Sequence, residues 1–235
     1  MKKLGLIGGM GPESTIPYYR DIVYGVQKQI GKDFFPVMAI ESVNVFDVLR
    51  LCGEGKYDEL TQYLMNAINS LISGGAEIIA LSANTPHIVF DRLKEQSRVP
   101  LISIIDATRD EALRLNKRRL GLLGTVFTMK GDFFKKPFTE SGIEIFTPTD
   151  EEMAVINEKI SCELEHGIVK DETLKLFQDI ITRMLNDYAI DGIILGCTEL
   201  PLILNDSVSP VPCLDTMQIH VKTLIDIMTE KLPLK

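Results

Sequence analysis

Short apolar runs alternate with longer amphipathic stretches along the 235 residues of the chain. The runs lie at 4–7, 37–40, 78–81, 101–104, 120–123, 144–146 and 193–195, most of them rich in Ile, Leu or Val and bounded by Gly, Pro or Ser. They do not alternate polar with apolar positions, which is the pattern of parallel strands buried on both faces. Between them, 57–74 repeats apolar residues at Leu60, Leu64, Ala67, Ile68 and Leu71. The stretch 171–188 does the same with Leu174, Phe177, Ile180, Ile181 and Leu185. Both spacings predict helices with one buried face. Strand alternating with helix predicts an α/β fold built on parallel sheet.

The chain also repeats itself once. KLGLIG at 3–8 returns as RLGLLG at 119–124, and IIALSANT at 78–85 returns as IILGCTE at 193–199, with Ala83 opposite Cys197. Val99–Pro100 is echoed by Val211–Pro212, and Asp106–Ala107 by Asp215–Thr216. Segments recurring in one order at nearly the same spacing predict two similar α/β units of roughly 110 residues each. Ligands of open α/β sheets bind beyond the carboxyl ends of the strands. The loops 8–12, 82–86, 124–128 and 196–201 all follow strands, so they are the expected lining of a cleft between the units.

Composition narrows the partners. A net charge of −8 with no basic stripe argues against nucleic acid and anionic membrane. The N-terminus, MKKLGLIGGMGPEST, lacks the long apolar core and small-residue cleavage pattern of a signal peptide. No run approaches the roughly 18 apolar residues of a membrane span. A cytoplasmic protein is expected, with Cys52, Cys162, Cys197 and Cys213 as free thiols. The cysteines and His87, His166 and His220 fall into no metal-binding spacing, so no metal site is expected.

Cys197 is the leading candidate for chemistry. An arbitrary cysteine is more often a buried structural residue. This one follows a strand and a glycine, opposite a second loop of the same repeat. A thiol at a strand end near a helix N-terminus has its pKa lowered toward neutral, which suits it to proton transfer. Ser82, Asn84 and Thr85 offer hydroxyls, an amide and backbone N–H groups that fit a carboxylate, and they equally fit the cap of a following helix. The loop GMGPES at 9–14 is close to a dinucleotide fingerprint. Ser14 replaces the third glycine, however, and the second copy of the loop is not glycine-rich. His87 and His220 fit buried helix positions better than a base.

GLIGGMGPESTIPYY, SANTPH, LLGTVFTM, GCTELP and DTMQIH, spread with matched spacing over essentially the whole chain, resemble the aspartate/glutamate racemases. The likeness is greatest to bacterial amino-acid racemases of relaxed or L-biased specificity. The resemblance implies two Rossmann-like domains related by pseudo-twofold symmetry, an active site between them, and a C-terminal helix that returns to the first domain. The expected division is 1–103 plus 213–235, and 104–212. It also implies a homodimer acting on a small amino acid or dicarboxylate, with no pyridoxal phosphate and no metal.

The family mechanism uses two bases on opposite faces of the α-carbon. The second thiol falls on Cys197. The first falls on Ala83, which has neither acid nor base, and there the chain departs from the pattern. Three outcomes follow. Racemisation persists with water, Ser82, Thr85 or Cys52 relaying the second proton. Alternatively, the chain is a one-thiol enzyme such as the related arylmalonate decarboxylases. Or it binds an amino acid or dicarboxylate without turnover. Met10 in the glycine loop, Asn84, Thr85, Thr198 and its neighbour Glu199, and Thr125 in the second half match or flank substrate-contacting positions. Arg50 and Lys170 are the candidate cations for carboxylates.

Overall fold

The computed structural model describes residues 1–233, Pro12 by its backbone alone. The chain divides into two compact units, Met1–Ile104 with His220–Lys235, and Ile105–Ile219. The first holds β1 (Leu4–Gly8), α1 (Pro12–Ile30), β2 (Met38–Ser42), α2 (Val45–Gly53), α3 (Tyr57–Ser73), β3 (Ile78–Leu81), α4 (Phe90–Gln96) and β4 (Leu101–Ile102). Then come α5 (Ile104–Arg114), β5 (Arg119–Leu123), α6 (Val126–Lys130), α7 (Asp132–Thr139), β6 (Glu144–Phe146), α8 (Asp150–Cys162), α9 (Asp171–Tyr188), β7 (Gly192–Leu195) and β8 (Cys213–Asp215), and finally α10 (Thr216–Met228).

Each unit has a four-stranded sheet, in the orders β2-β1-β3-β4 and β6-β5-β7-β8, and every pairing is parallel. The second order is the first with four added to each number, so the sequence repeat is a repeat of topology. The two-copy α/β architecture with parallel sheets is therefore as the sequence led us to expect. The central strands β1, β3 and β7 are buried at every position, which accounts for their unbroken apolar character. The repeated glycines have a packing cause. Gly5 lies across from Ile79 and Gly121 across from Ile193. A Cβ at Gly5 would stand 2.7 Å from Ile79 Cδ1, and one at Gly121 2.5 Å from Ile193 Cδ1. In both units an isoleucine fills the space that the glycine leaves. Helix α3 presents Leu60, Leu64 and Ile68, all wholly buried, as the spacing predicted. Each such side chain contributes about 1.5–3 kcal/mol of transfer free energy.

Three boundaries differ from the sequence expectation. The run 37–40 becomes Met38–Ser42, an edge strand that pairs only with β1 and so tolerates Glu41 and Ser42. The run 101–104 stops at Ile102, and Ile104 opens α5 with its amide turned to His87 Nε2. Strand β8 was not expected at all, because three residues containing Cys and Asp make no apolar run. Its pairing with β7 puts residues 213–219 in the second unit, not the first, and the return to the first unit falls inside α10.

Candidate active site

The second unit carries the thiol. Strand β7 ends at Leu195, and Gly196 follows because nothing larger fits: a Cβ there would meet Leu122 Cδ1 and Leu123 O, each at 2.8 Å. The Gly196 amide is tied to Leu123 O at 2.7 Å. This fixes Cys197 at the mouth of the strand with its side chain almost wholly buried. Its Sγ donates to Glu199 Oε2 at 2.8 Å, and Thr198 Oγ1 donates to the same oxygen at 3.0 Å. All three residues are buried.

That geometry reverses one expectation. Burial first, then the Glu199 charge and hydrogen bond, then Glu165, hold the Cys197 thiol well above its ordinary pKa rather than lowering it. The reason is twofold. The turn after Cys197 is a three-residue 3-10 turn, Leu200–Leu202, too short for a substantial dipole. The nearest charges are carboxylates, which disfavour a thiolate. Cys197 is therefore a protonated thiol with a proton acceptor already in contact. Glu165 belongs to the same electrostatic cluster, its carboxyl pushed up by burial and by Glu199. Sequence patterning gave no signal for Glu165, which follows α8 in a 3-10 turn.

Elsewhere in the second unit, Thr125 caps α6 by accepting the Thr128 amide, and Asn157 Oδ1 accepts the Val126 amide at 3.0 Å. Lys170 precedes α9 and donates through Nζ to the buried Glu163 carboxylate at 3.0 Å. Sequence reading missed Asn157 and Glu163, isolated polar residues in helical or helix-end positions with no motif around them.

The first unit has the matching loop without the acid. Ser82 and Asn84 are buried, while Ala83 and Thr85 are partly exposed at the end of β3. The Ser82 amide donates to Ile7 O at 3.0 Å, and Ser14 Oγ donates to the Ser82 carbonyl, tying the loop to the start of α1. Ser82 Oγ has no hydrogen-bond partner among the described residues. His87 accepts the Ile104 amide on Nε2 at 3.4 Å, so its Nδ1–H donates to Ala83 O, 3.0 Å away. Burial depresses its pKa to about 4. His220 takes the Tyr18 hydroxyl on Nδ1 at 2.8 Å and donates through Nε2 to Ile102 O at 3.1 Å, and burial lowers it to about 3. Both are neutral supports of the fold.

Met10 is buried in the glycine loop beside α1, where Gly9 and Gly11 have φ of 78° and 117°. A Cβ at Gly9 would also stand 2.2 Å from Val43 O, so that glycine is fixed on two counts. Arg50 lies on the surface of α2, between Asp47 at 3.4 Å and Glu54 at 3.5 Å. The structure thus joins Cys197, Thr198 and Glu199 in one cluster, and Ala83, Asn84 and Thr85 in one loop. It gives Arg50 and Lys170 carboxylate partners within their own units. No group of three His, Cys, Asp or Glu side chains able to hold a metal ion occurs among the described residues, and no helix is long and apolar enough to cross a membrane.

Comparison with known proteins decides the family. The sequence profile of the Asp/Glu/Hydantoin racemases matches residues 7–224. The chain belongs to the Asp/Glu/hydantoin racemase family. A broad specificity amino-acid racemase, RacX, from Bacillus subtilis (strain 168) is 25% identical over 226 residues, covering 94% of this chain and 96% of the relative. The solved structure of PH1733, an aspartate racemase homologue from Pyrococcus horikoshii OT3, superposes with a TM-score of 0.86 at 38% identity, covering 97% of this chain and all of that one. The Picrophilus torridus aspartate racemase shares the fold, with a TM-score of 0.77 at 20% identity over the whole of this chain and 96% of its own.

Proposed function

We propose that this racemase-family chain is a cofactor-independent amino-acid racemase in which Cys197 moves the α-proton. The observation that carries the reading is the 2.8 Å hydrogen bond from the Cys197 thiol to Glu199. A buried thiol paired with a buried carboxylate is a proton-transfer pair made wholly of side chains. In one direction the thiol proton passes to Glu199, and the thiolate left behind removes the proton from the α-carbon. Water on the opposite face delivers the second proton in that direction and takes the α-proton in the other, in which the thiol protonates the planar carbanion and the thiolate regains its proton from solvent by way of Glu199. Hydrogen-bond donors at Asn84, Thr85 and Thr198 would hold the α-carboxylate and stabilise the charge that builds on it. Met10 and Thr125 stand in the equivalent loops of the two halves, and Arg50 and Lys170 would serve a second carboxylate. The same reading has the enzyme working in the cytoplasm as a homodimer. Tyr24 and Phe35, exposed and in edge-to-face contact on the first unit, are apolar surface that such an assembly would cover.

A second reading is favoured by one position. Ala83 supplies no second acid, and the Cys197 thiol is held protonated. Those two facts suit a one-sided enzyme, in which loss of carbon dioxide from a malonate leaves a carbanion that needs a single proton.

Incubation of L- and D-amino acids in D₂O, followed by NMR of the α-proton and chiral analysis, separates the readings. A racemase exchanges and inverts. A one-base enzyme exchanges with retention or decarboxylates an arylmalonate. Cys197→Ala is expected to lower turnover about 10³-fold or more, the scale of losing a principal acid–base group. Wild-type turnover in that variant would sink the assignment.

A further inference from the structure

The second unit also holds a buried carboxylate with two cations on it. Glu163 follows α8, and its side chain is only 6% exposed. Its Oε1 accepts Lys159 Nζ at 2.8 Å and Lys170 Nζ at 3.0 Å, and its Oε2 accepts the wholly buried Thr173 hydroxyl at 2.6 Å. Lys159 foremost, with Thr173 and Lys170, holds the carboxyl down to about 2. The backbone adds its own ties, since Glu163 O accepts the amides of His166 and Ile168, each at 3.0 Å. The turn so held contains Glu165, whose charge reaches Glu199 and Cys197. The two lysines are not equivalent. The Lys159 side chain is 25% exposed and that of Lys170 45%, with Glu172 a further 4.0 Å contact of Lys170.

We propose that Glu163 and Lys159 form a docking pair that stores the Lys170 ammonium and releases it to the second carboxylate of a dicarboxylic amino acid. A buried carboxylate that loses its only cation is left uncompensated, at a high cost. Here Lys159 and Thr173 stay on Glu163 when Lys170 swings away, so Lys170 can leave at small cost. A monocarboxylic amino acid offers nothing to receive it. The arrangement therefore makes Lys159 a positioning residue for dicarboxylate selectivity, although Lys159 does not itself meet the substrate. The inference rests on the reading of Lys170 as a substrate cation.

Calorimetric titration of the full-length chain with L-aspartate, and with L-alanine as reference, tests it. Lys170→Met is expected to weaken aspartate binding about tenfold or more, the scale of a lost hydrogen bond to a charged group, and to leave alanine unchanged. Lys159→Met, with Lys159→Gln as a second variant, is expected to weaken aspartate about three- to tenfold and to leave alanine unchanged, and Lys159→Arg to restore the wild-type affinity. A merely structural role for Lys159 would weaken both ligands together and overturn the proposal. Wild-type aspartate affinity in both Lys159 variants, with Lys170→Met impaired, overturns the docking pair and leaves the Lys170 reading standing. Wild-type affinity in Lys170→Met removes the Lys170 reading and the docking pair with it, while the Cys197 chemistry stands. A wild-type chain that binds no aspartate overturns both.

Discussion

In the first unit the chain leaves β3 through Ser82 and Ala83; in the second it leaves β7 through Gly196 and Cys197. The strands are equivalent in topology, and Ile79 and Ile193 pack on equivalent glycines. The loops beyond them have diverged. The second is crowded by Leu122 and Leu123, which exclude any side chain at Gly196 and push the functional group to the next position. The first admits a buried hydroxyl at Ser82 and then places a methyl group where the thiol stands in its counterpart. Only the second loop has an acceptor in contact, Glu199; in the first, the fourth position is Thr85. Scaffold and loop are thus separable: packing has kept both halves of the fold alike, while the thiol–carboxylate pair is confined to one.

The largest expected effect within that comparison comes from taking the acceptor away. Glu199→Gln leaves the shape of the loop but removes the carboxylate that the proposed mechanism has take the thiol proton. Turnover at neutral pH is expected to fall about 10²-fold, the lower range for loss of a general base. The charge of Glu199 is one of the causes that raise the Cys197 pKa. Its removal should therefore bring the thiol pKa down, and activity should recover as pH rises and solvent deprotonates Cys197. A pH–rate profile measured by α-proton exchange checks this. A variant with wild-type rate, or one whose activity does not climb with pH, would show that Glu199 is not the acceptor.

A smaller effect is expected from making the first loop resemble the second. Ala83→Cys adds an acid at the position equivalent to Cys197. Inversion of configuration is expected to rise about tenfold relative to exchange with retention, since in the racemase reading one group would then serve each face, while general acid–base contributions set the upper scale. Chiral analysis of the same D₂O reactions reads the ratio. An unchanged ratio would mean that residue 83 does not face the α-carbon, and the one-sided reading would gain.

The division between what was legible in the sequence and what was not follows the same line. The apolar runs fixed the central strands, because burial on both faces leaves no choice of residue type at Leu6, Ile79, Leu122 or Ile194. The internal repeat pointed to Cys197, Ala83 and the two sheets at once. Strand β8 escaped because its three residues owe their conformation to pairing with β7 rather than to their own composition. The protonation state of Cys197 escaped for a related reason. Sequence shows that Glu199 is two residues away; only the turn that folds its carboxylate back to 2.8 Å from Sγ makes it the dominant local charge. Glu163, its two lysines and Thr173 are spread over 159–173 with no motif, and become a cluster only where α8 ends and α9 begins.

The smallest effect separates the two scaffolds themselves. Gly5 and Gly121 stand at repeated positions, yet an added methyl group meets different neighbours. At Gly5 the Cβ would lie 2.7 Å from Ile79 Cδ1, 2.9 Å from Ala76 Cβ and 3.0 Å from Leu71 Cβ. The last two are side-chain roots, which move only with their backbone. At Gly121 the contacts are Ile193 Cδ1 at 2.5 Å, Ile190 Cδ1 at 3.1 Å and Met184 Cε at 3.1 Å, all free ends that can change rotamer. Overpacking costs about 1–3 kcal/mol, less where flexible ends absorb the volume. Gly5→Ala is therefore expected at the upper end of that range and Gly121→Ala at the lower, a difference of about 1 kcal/mol. Urea denaturation of the two variants measures it. Equal losses would mean that the cores of the two halves yield alike, and that the repeat extends from topology to the mechanics of packing.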